Sequence, residues 1–356
     1  MKICILGDTH FGVRADSIEF HNFFKKFYSE FFFPELESRN IDTIIQLGDL
    51  FDRRKYIQFN TLALCREYFF NQLSKNDLTM YTLIGNHDIP YRNTLSVNAQ
   101  SLLLNEYKNI HIIQKFETKM FDGLLIDFIP WICEDNQKDI LSNIKQSQSS
   151  VCVGHLEING CSMGHSICEH GLDGNYFNKY DIVLSGHFHT KSTKNNIIYT
   201  GTPYEMNWTD YCIEKGIYIL DTETLEIEFI KNPFSIFSRI DYDDNITTFE
   251  EMNNHDYSQY KDLYVKVVVI NKNNPYQFDI FLENIHKSGA LDVKVVEDFT
   301  EDLNQTVETF SDAEDTLTII NKVIDSSTET NKNIESNTIK RLFKELYIES
   351  INPQED

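Results

Sequence analysis

No apolar run in the 356-residue chain approaches the ~20 residues a membrane-spanning helix needs. A signal-peptide pattern is also missing. Membrane and secreted classes are set aside, and a cytoplasmic protein is expected. Paired cysteines are lacking too: Cys4, Cys65, Cys133, Cys152, Cys161, Cys168 and Cys212 are odd in number, scattered and often inside apolar runs. That is reduced-thiol usage, not a disulfide framework. Basic charge is scarce, with 32 Lys and Arg against 55 Asp and Glu and a net charge of −23. This works against any polyanion-binding role, because Lys and Arg normally supply most affinity for phosphate backbones.

What the chain does have is five short motifs in its first 190 residues: Asp8-Thr9-His10, Gly48-Asp49-Leu50-Phe51-Asp52, Gly85-Asn86-His87-Asp88, Gly154-His155 and Gly186-His187-Phe188-His189. Each ends an apolar run of strand length (Lys2–Leu6, Thr43–Leu47, Thr79–Ile84, Val151–Val153, Asp181–Ser185), with glycine close to the candidate ligand. Helices are expected over Asp16–Asn40, with Pro34 kinking or ending it, and over Gln58–Leu73 and Thr94–Leu104. Strand and helix thus alternate, implying a largely parallel, doubly covered sheet. Loops beyond the carboxyl ends of such strands converge on one crevice.

Two divalent cations about 3.5–4 Å apart need a shared carboxylate and further oxygen and imidazole donors. Asp49 is the candidate bridge. Asp8, His10 and His189 would complete one ion, and Asn86, His155 and His187 the other; an H-x-H on a strand end sends its imidazoles to opposite faces. A donor set without thiolate suits Mn²⁺, with Mg²⁺ or Fe²⁺ as alternatives, better than structural Zn²⁺. His87 is then left as general acid or phosphate clamp, with Asp52 accepting its other N–H. A water activated by the ions would attack, so no protein nucleophile is required. Cys161, His165, Cys168 and His170 lack zinc-knuckle spacing and read better as a loop overhanging the site.

These motifs resemble those of calcineurin-like metallophosphoesterases, and within them the double-strand-break repair nucleases: the meiotic-recombination-eleven family, bacterial SbcD and especially the recombination nuclease subunits of T-even-like phages. His170–Gly174, Ser185–Thr190 and Thr200–Tyr204 carry the likeness to the phage type, which covers residues 1 to about 230 well. The resemblance implies a manganese-dependent nuclease. It would act 3′ to 5′ on duplex DNA ends and as an endonuclease on single-stranded or structured DNA. It also implies a homodimer and a coiled-coil ATPase partner of the SbcC or radiation-sensitive-fifty type. Many cellular members have histidine where this chain has Asp52, so a substrate-distorting histidine there does not carry over. A phosphatase or nucleotide phosphodiesterase of the same fold, and a metal-free scaffold, are the alternatives.

Charge distribution softens the acidity: residues 235–356 hold 25 acids and 11 bases, leaving 30 and 21 in residues 1–234. Arg14, Arg53, Arg54, Arg92 and Lys191, with Lys55 and Lys194, follow the motifs closely and are candidate DNA-phosphate contacts. After the H-x-H motif, Ile197–Thr200, Gly216–Asp221 and Leu225–Lys231 read as strands of a second sheet. The expected architecture is a four-layer α/β/β/α sandwich over residues 1–232, a small α+β unit over 233–305, which the resemblance implies is a capping domain, and a C-terminal tail over 306–356. Asn232–Tyr242 reads as a linker. The capping unit would hold a strand at Leu263–Ile270, a helix from Pro275 to Lys287 and a strand at Leu291–Val296. In the tail, Ser326–Thr338 reads as flexible. Beyond it Ile339, Leu342, Phe343 and Leu346 fall at helical spacing, an amphipathic face for docking the ATPase.

Overall fold

The computed structural model describes residues 1–164 and 166–297. His165 and the whole 306–356 segment, including Ile339, Leu342, Phe343 and Leu346, lie outside the described residues.

Fifteen strands are found among the described residues. In chain order they are β1 (Lys2–Leu6), β2 (Thr43–Gln46), β3 (Thr79–Leu83), β4 (Ile110–Ile113), β5 (Glu117–Phe121), β6 (Leu124–Ile129), β7 (Val151–His155) and β8 (Ile182–Gly186). Then come β9 (Ser192–Lys194), β10 (Ile197–Tyr199), β11 (Gly216–Asp221), β12 (Ile227–Lys231), β13 (Phe237–Asp243), β14 (Tyr264–Asn271) and β15 (Asp292–Val296). They form two six-stranded sheets, ordered β12-β11-β1-β2-β3-β4 and β5-β6-β7-β8-β10-β9, and a three-stranded sheet β13-β14-β15.

Strand periodicity explains the layering. In β1, Ile3 and Ile5 enter the apolar cluster between the two large sheets, while Cys4 and Leu6 face the helices on the outside. β7 behaves alike: Val151 and Val153 point between the sheets and Cys152 outward. Strands buried on both faces must be apolar at every position, which is why these segments read as continuous runs. The outer face of the first sheet is covered by the Phe-rich helices, with Phe24, Phe27, Tyr28, Phe32, Phe69 and Phe70 all buried. The outer face of the second is covered by the helix Gln137–Gln146 through Ile140 and Ile144. This is the α/β/β/α sandwich.

Four expectations need correcting. The motif strands do not share one sheet: β1, β2 and β3 lie in the first, β7 and β8 in the second. Gly216–Asp221 and Leu225–Lys231 do not build the second sheet but return to the first, with β11 antiparallel to β1 and β12 antiparallel to β11. Residues 232–242 are not only a linker, because Phe237–Asp243 is a strand parallel to β14; its polar alternation, Ser238, Arg239, Asp241, hid it. The helix expected at Thr94–Leu104 shrinks to Ala99–Leu103, since the Asn98 side chain accepts from Ser101 N (2.8 Å) and caps it late. The first long helix is interrupted by a π turn at Tyr28–Phe32, directly before Pro34 in the first turn of Phe33–Ser38. Proline lacks the N–H that the α register needs there.

Candidate metal centre

The loops after β1, β2, β3, β7 and β8 meet at one end of the sandwich and bring the candidate ligands into two adjoining groups. Asp8, His10 and His189 have donor atoms within 4.8 Å of one another, as do Asp49, His155 and His187. Asn86 joins the second, its Oδ1 2.9 Å from His155 Nε2 and 3.0 Å from His187 Nδ1. Asp49 stands between the groups, with Oδ2 3.3 Å from His155 Nε2 and 3.8 Å from His10 Nε2. His187 and His189 do part toward different groups, but not by strand alternation. They lie in the loop beyond β8, where His187 takes φ 86°.

Each carboxylate has one oxygen fixed and one presented to the centre. His87 N donates to Asp49 Oδ1 (2.7 Å) and His187 N to Asp8 Oδ2 (2.8 Å). His10 (φ 42°) and Asp49 (φ 49°) share the left-handed backbone with His187. Such conformations are uncommon outside glycine and cluster at functional sites.

Whether this centre fits metal ions is decided by its leftover donors. Asp8 Oδ1, His10 Nε2 and His187 Nε2 are buried without a hydrogen bond, and His10 Nδ1 has only the Asp52 carboxylate at 3.4 Å, a costly state for polar atoms. His155 Nδ1 donates to the Leu47 carbonyl (2.8 Å), which fixes the tautomer and leaves the Nε2 lone pair facing the oxygens of Asn86 and Asp49. Lone pairs so opposed need a proton or a cation between them. Glycines make the room: a Cβ on Gly85 would strike Asp49, one on Gly186 would strike Asp8, and one on Gly48 would come within 2.5 Å of His155 Nδ1. The residues fit a pair of divalent cations with oxygen and nitrogen ligands.

Electrostatics agree. Burial, helped by the neighbouring Asp49 charge, pushes the Asp8 carboxyl up to about 7, against the pull of His155 and His10. For Asp49 burial acts the same way, but the imidazoles of His155, His87 and His10 outweigh it and hold the carboxyl well below its usual range. Burial depresses His10 and His155, yet the carboxylates around them prevail and raise them to about 10 and about 9. His187 is lowered well below an ordinary imidazole by burial and by neighbouring His155.

His87 Nδ1 is bonded to Asp52, though through the backbone carbonyl (2.6 Å) and not the carboxylate as expected. Residues 49–52 run parallel to 9–11, tied by Asp52 N to Phe11 O (3.0 Å). This turns the Asp52 carboxylate toward His10 Nδ1, 3.4 Å away.

Among the candidate phosphate contacts, Arg14 and Arg92 are exposed and Arg53 and Arg54 half-buried. Arg14 Nε donates to Met206 O (3.0 Å). Lys191 is committed to Glu214 (2.6 Å) and packs over Phe229, so it does not point at the centre as an open cation. Cys161 and Cys168 are buried in the apolar cluster with Ile158 and Phe188, and Cys168 Sγ donates to His170 O (3.1 Å).

Three further residues serve the site without a spacing signal. Asp88 ties two motif loops together, accepting from Gly85 N (2.8 Å), Leu50 N (3.0 Å) and Phe51 N (3.3 Å). Buried Lys215 pairs with Asp210 (2.5 Å) and donates to the His189 carbonyl (2.8 Å). Glu157 reaches to 4.0 Å from His187 Nε2. Only the D at the end of G-N-H-D hinted at any of them.

Sandwich, loop convergence and paired donor groups together define a two-metal phosphoesterase. Residues 1–191 match the calcineurin-like phosphoesterase family, and the chain belongs to that family: it is a metal-dependent phosphoesterase. It is 36% identical over 312 residues to Exonuclease subunit 1 of Enterobacteria phage T4, covering 86% of this chain and 88% of the relative. A solved glutamine-dependent NAD+ synthetase from Acinetobacter baumannii, in complex with ADP, aligns over 90% of this chain and 69% of that one. Its 10% identity and TM-score of 0.26 are too low to bear on the fold.

Proposed function

We propose that the chain is the nuclease subunit of a DNA recombination and repair complex, hydrolysing phosphodiesters with two Mn²⁺ ions. The observation that carries this reading is Asp49 Oδ2 standing between the two imidazole groups, in a chain whose phage relative is called an exonuclease subunit over nearly its full length. Asp8, His10, Asp49 and His189 would hold one ion, and Asp49, Asn86, His155 and His187 the other. Bound there, the ions supply an activated water and charge to stabilise the phosphoryl oxygens. His87, its Nδ1–H committed to the Asp52 carbonyl, would turn Nε2 to the leaving oxygen as general acid or to the phosphate as clamp. The Asp52 carboxylate steadies His10 from the side away from Asp49.

The finer expectations belong to the same proposal: 3′ to 5′ action on duplex ends, endonuclease action on single-stranded or structured DNA, and homodimerisation. So does an SbcC-type ATPase bound through the tail, with residues 233–305 acting as a cap that contacts DNA. Together they describe a cytoplasmic enzyme of an infected host cell.

Nucleotide release from linear duplex DNA, measured with and without Mn²⁺ beside turnover of bis-p-nitrophenyl phosphate and p-nitrophenyl phosphate, tests the reading. DNA and the diester should both be cleaved, with the monoester slow; a monoester preference would favour the phosphatase alternative. Asp49→Asn should abolish cleavage in a folded protein. Wild-type turnover in that variant would refute the bridge.

A further inference from the structure

The loop leaving the first metal motif runs through backbone that side chains avoid. Arg14, Ala15 and Asp16 have φ of 55°, 58° and 61°, three consecutive left-handed residues behind Gly12 at 95°. None of the three is glycine, and each such residue costs roughly 1 kcal/mol or more. A turn of this kind persists only where contacts impose it.

Those contacts converge on the Asp16 carboxylate. Its Oδ1 accepts from the Thr61 hydroxyl (2.7 Å), and its Oδ2 lies 3.0 Å from Arg53 NH1. Thr61 Oγ1 is bonded in turn to His21 Nε2 (2.9 Å), and His21 Nδ1 to Tyr68 OH (3.1 Å), so a buried polar chain backs the carboxylate into the aromatic core. Arg53 is held from two sides: NH1 also donates to Tyr56 OH (2.7 Å), and its guanidinium lies 4.9 Å from the centre of that ring.

The pair is unequal in exposure, 4% for the Asp16 side chain and 30% for Arg53. Arg53 directly follows Asp52, whose carboxylate and carbonyl reach His10 and His87. Removing Arg53 would strand a buried charge, but a partner needed only to neutralise Asp16 need not be 30% exposed itself and held by Tyr56 as well, so fold stability alone does not account for the arrangement. Positioning does. A guanidinium held at one terminal nitrogen and laid over a ring presents its remaining N–H groups, on Nε and NH2, as a fork, the geometry that takes phosphate oxygens.

We infer that Asp16 is a positioning residue: the left-handed turn Arg14–Asp16 aims Arg53 at a phosphate of the nucleic-acid strand entering the metal centre. This rests on the nuclease reading above. Asp16→Asn should raise KM for linear duplex DNA about tenfold, with kcat within about twofold, since one charge-assisted contact is weakened. It should also lower the slope of log Kd against log salt by about one contact. Arg53→Gln should do the same, and the double variant should be no worse than Arg53→Gln alone.

An Asp16→Asn protein that loses thermal stability or kcat while KM and salt slope stay unchanged would show a mere staple between loops, as would additive effects in the double variant. Should Asp16→Asn fail to fold, an unchanged salt slope in Arg53→Gln overturns the inference by itself. If the wild type neither binds nor cleaves DNA, the nuclease reading falls first and takes this inference with it. Wild-type cleavage beside unaltered Asp16 and Arg53 variants sinks this inference alone.

Discussion

Asp49, His10 and His155 hold protons and charge where cations would sit, and this has a measurable sign. In the metal-free protein His10 and His155 are raised to about 10 and about 9, above the ordinary imidazole value near 6.5. Their contribution to stability is fully present below that value and lost as pH rises through 9 and 10. Metal-free protein should therefore lose Tm between pH 7 and 10. Ligands must be deprotonated to bind, so Mn²⁺ loading at pH 7.5 should release about two protons, read by calorimetry in buffers of different ionisation enthalpy. No proton release would mean that cations do not replace those protons. His87 calls for the opposite behaviour: His87→Ser should keep both ions and KM but lose about 10²–10⁴ in kcat. Loss of metal in that variant would place His87 among the ligands.

Residues of this kind were legible because few chemistries use Asp, Asn and His beside glycine at strand ends. Glu157, Lys215 and Asp16 were not, because they act on backbone atoms or on other side chains from positions set only by folding, and Asp88 was visible in its motif without its role as a tie between loops. Lys215 is the plainest case: it is 26 residues from His189 in sequence, and nothing near it marks it as the donor to that carbonyl.

At the scale of elements, the glycines turn strand ends into ligand cradles. Gly85 closes β3 against Asp49, so Gly85→Ala must push the candidate bridging carboxylate aside. Because that Cβ would also come within 2.3 Å of the Asp49 backbone nitrogen, the loop itself must shift and the metal-free protein should lose some stability. Differential scanning with and without Mn²⁺ should then show a lowered metal-free Tm and, on top of it, a much reduced upward shift on adding metal; a full shift would mean that Asp49 does not bind the ions. Which strands exist was readable from their apolar runs, whereas their sheet was not. β1 and β7 are alike in pattern, KICIL against VCVGH, yet belong to different sheets. Pairing between runs buried on both faces is decided by crossover geometry, and periodicity is silent about it. The opposite failure struck β13, whose exposed face made a strand look like a linker.

For the whole molecule, the question is how the small β13-β14-β15 sheet sits on the phosphoesterase sandwich. Trp208 is wedged at the join, its ring 4.6 Å from Phe237 and under the Lys266 ammonium at 4.7 Å. Phe20 completes the contact from the first helix, 6.2 Å from Phe237 and 5.8 Å from Tyr264. Glu205 fastens the connecting strand, accepting from Ser235 Oγ (2.7 Å), Ile236 N (2.8 Å) and Phe237 N (3.2 Å). Aromatic packing holds the two sheets together, while Glu205 only steers the chain between them. Trp208→Ala should thus cost about 2–3 kcal/mol at the join while leaving each sheet its own core, Tyr242, Val265, Val267 and Phe281 in the small one. Two outcomes follow: denaturant unfolding should split into two transitions, and limited proteolysis should cut near residues 232–236 much faster than in the wild type. A single cooperative transition with unchanged cleavage would mean that Glu205 and the connecting backbone hold the join.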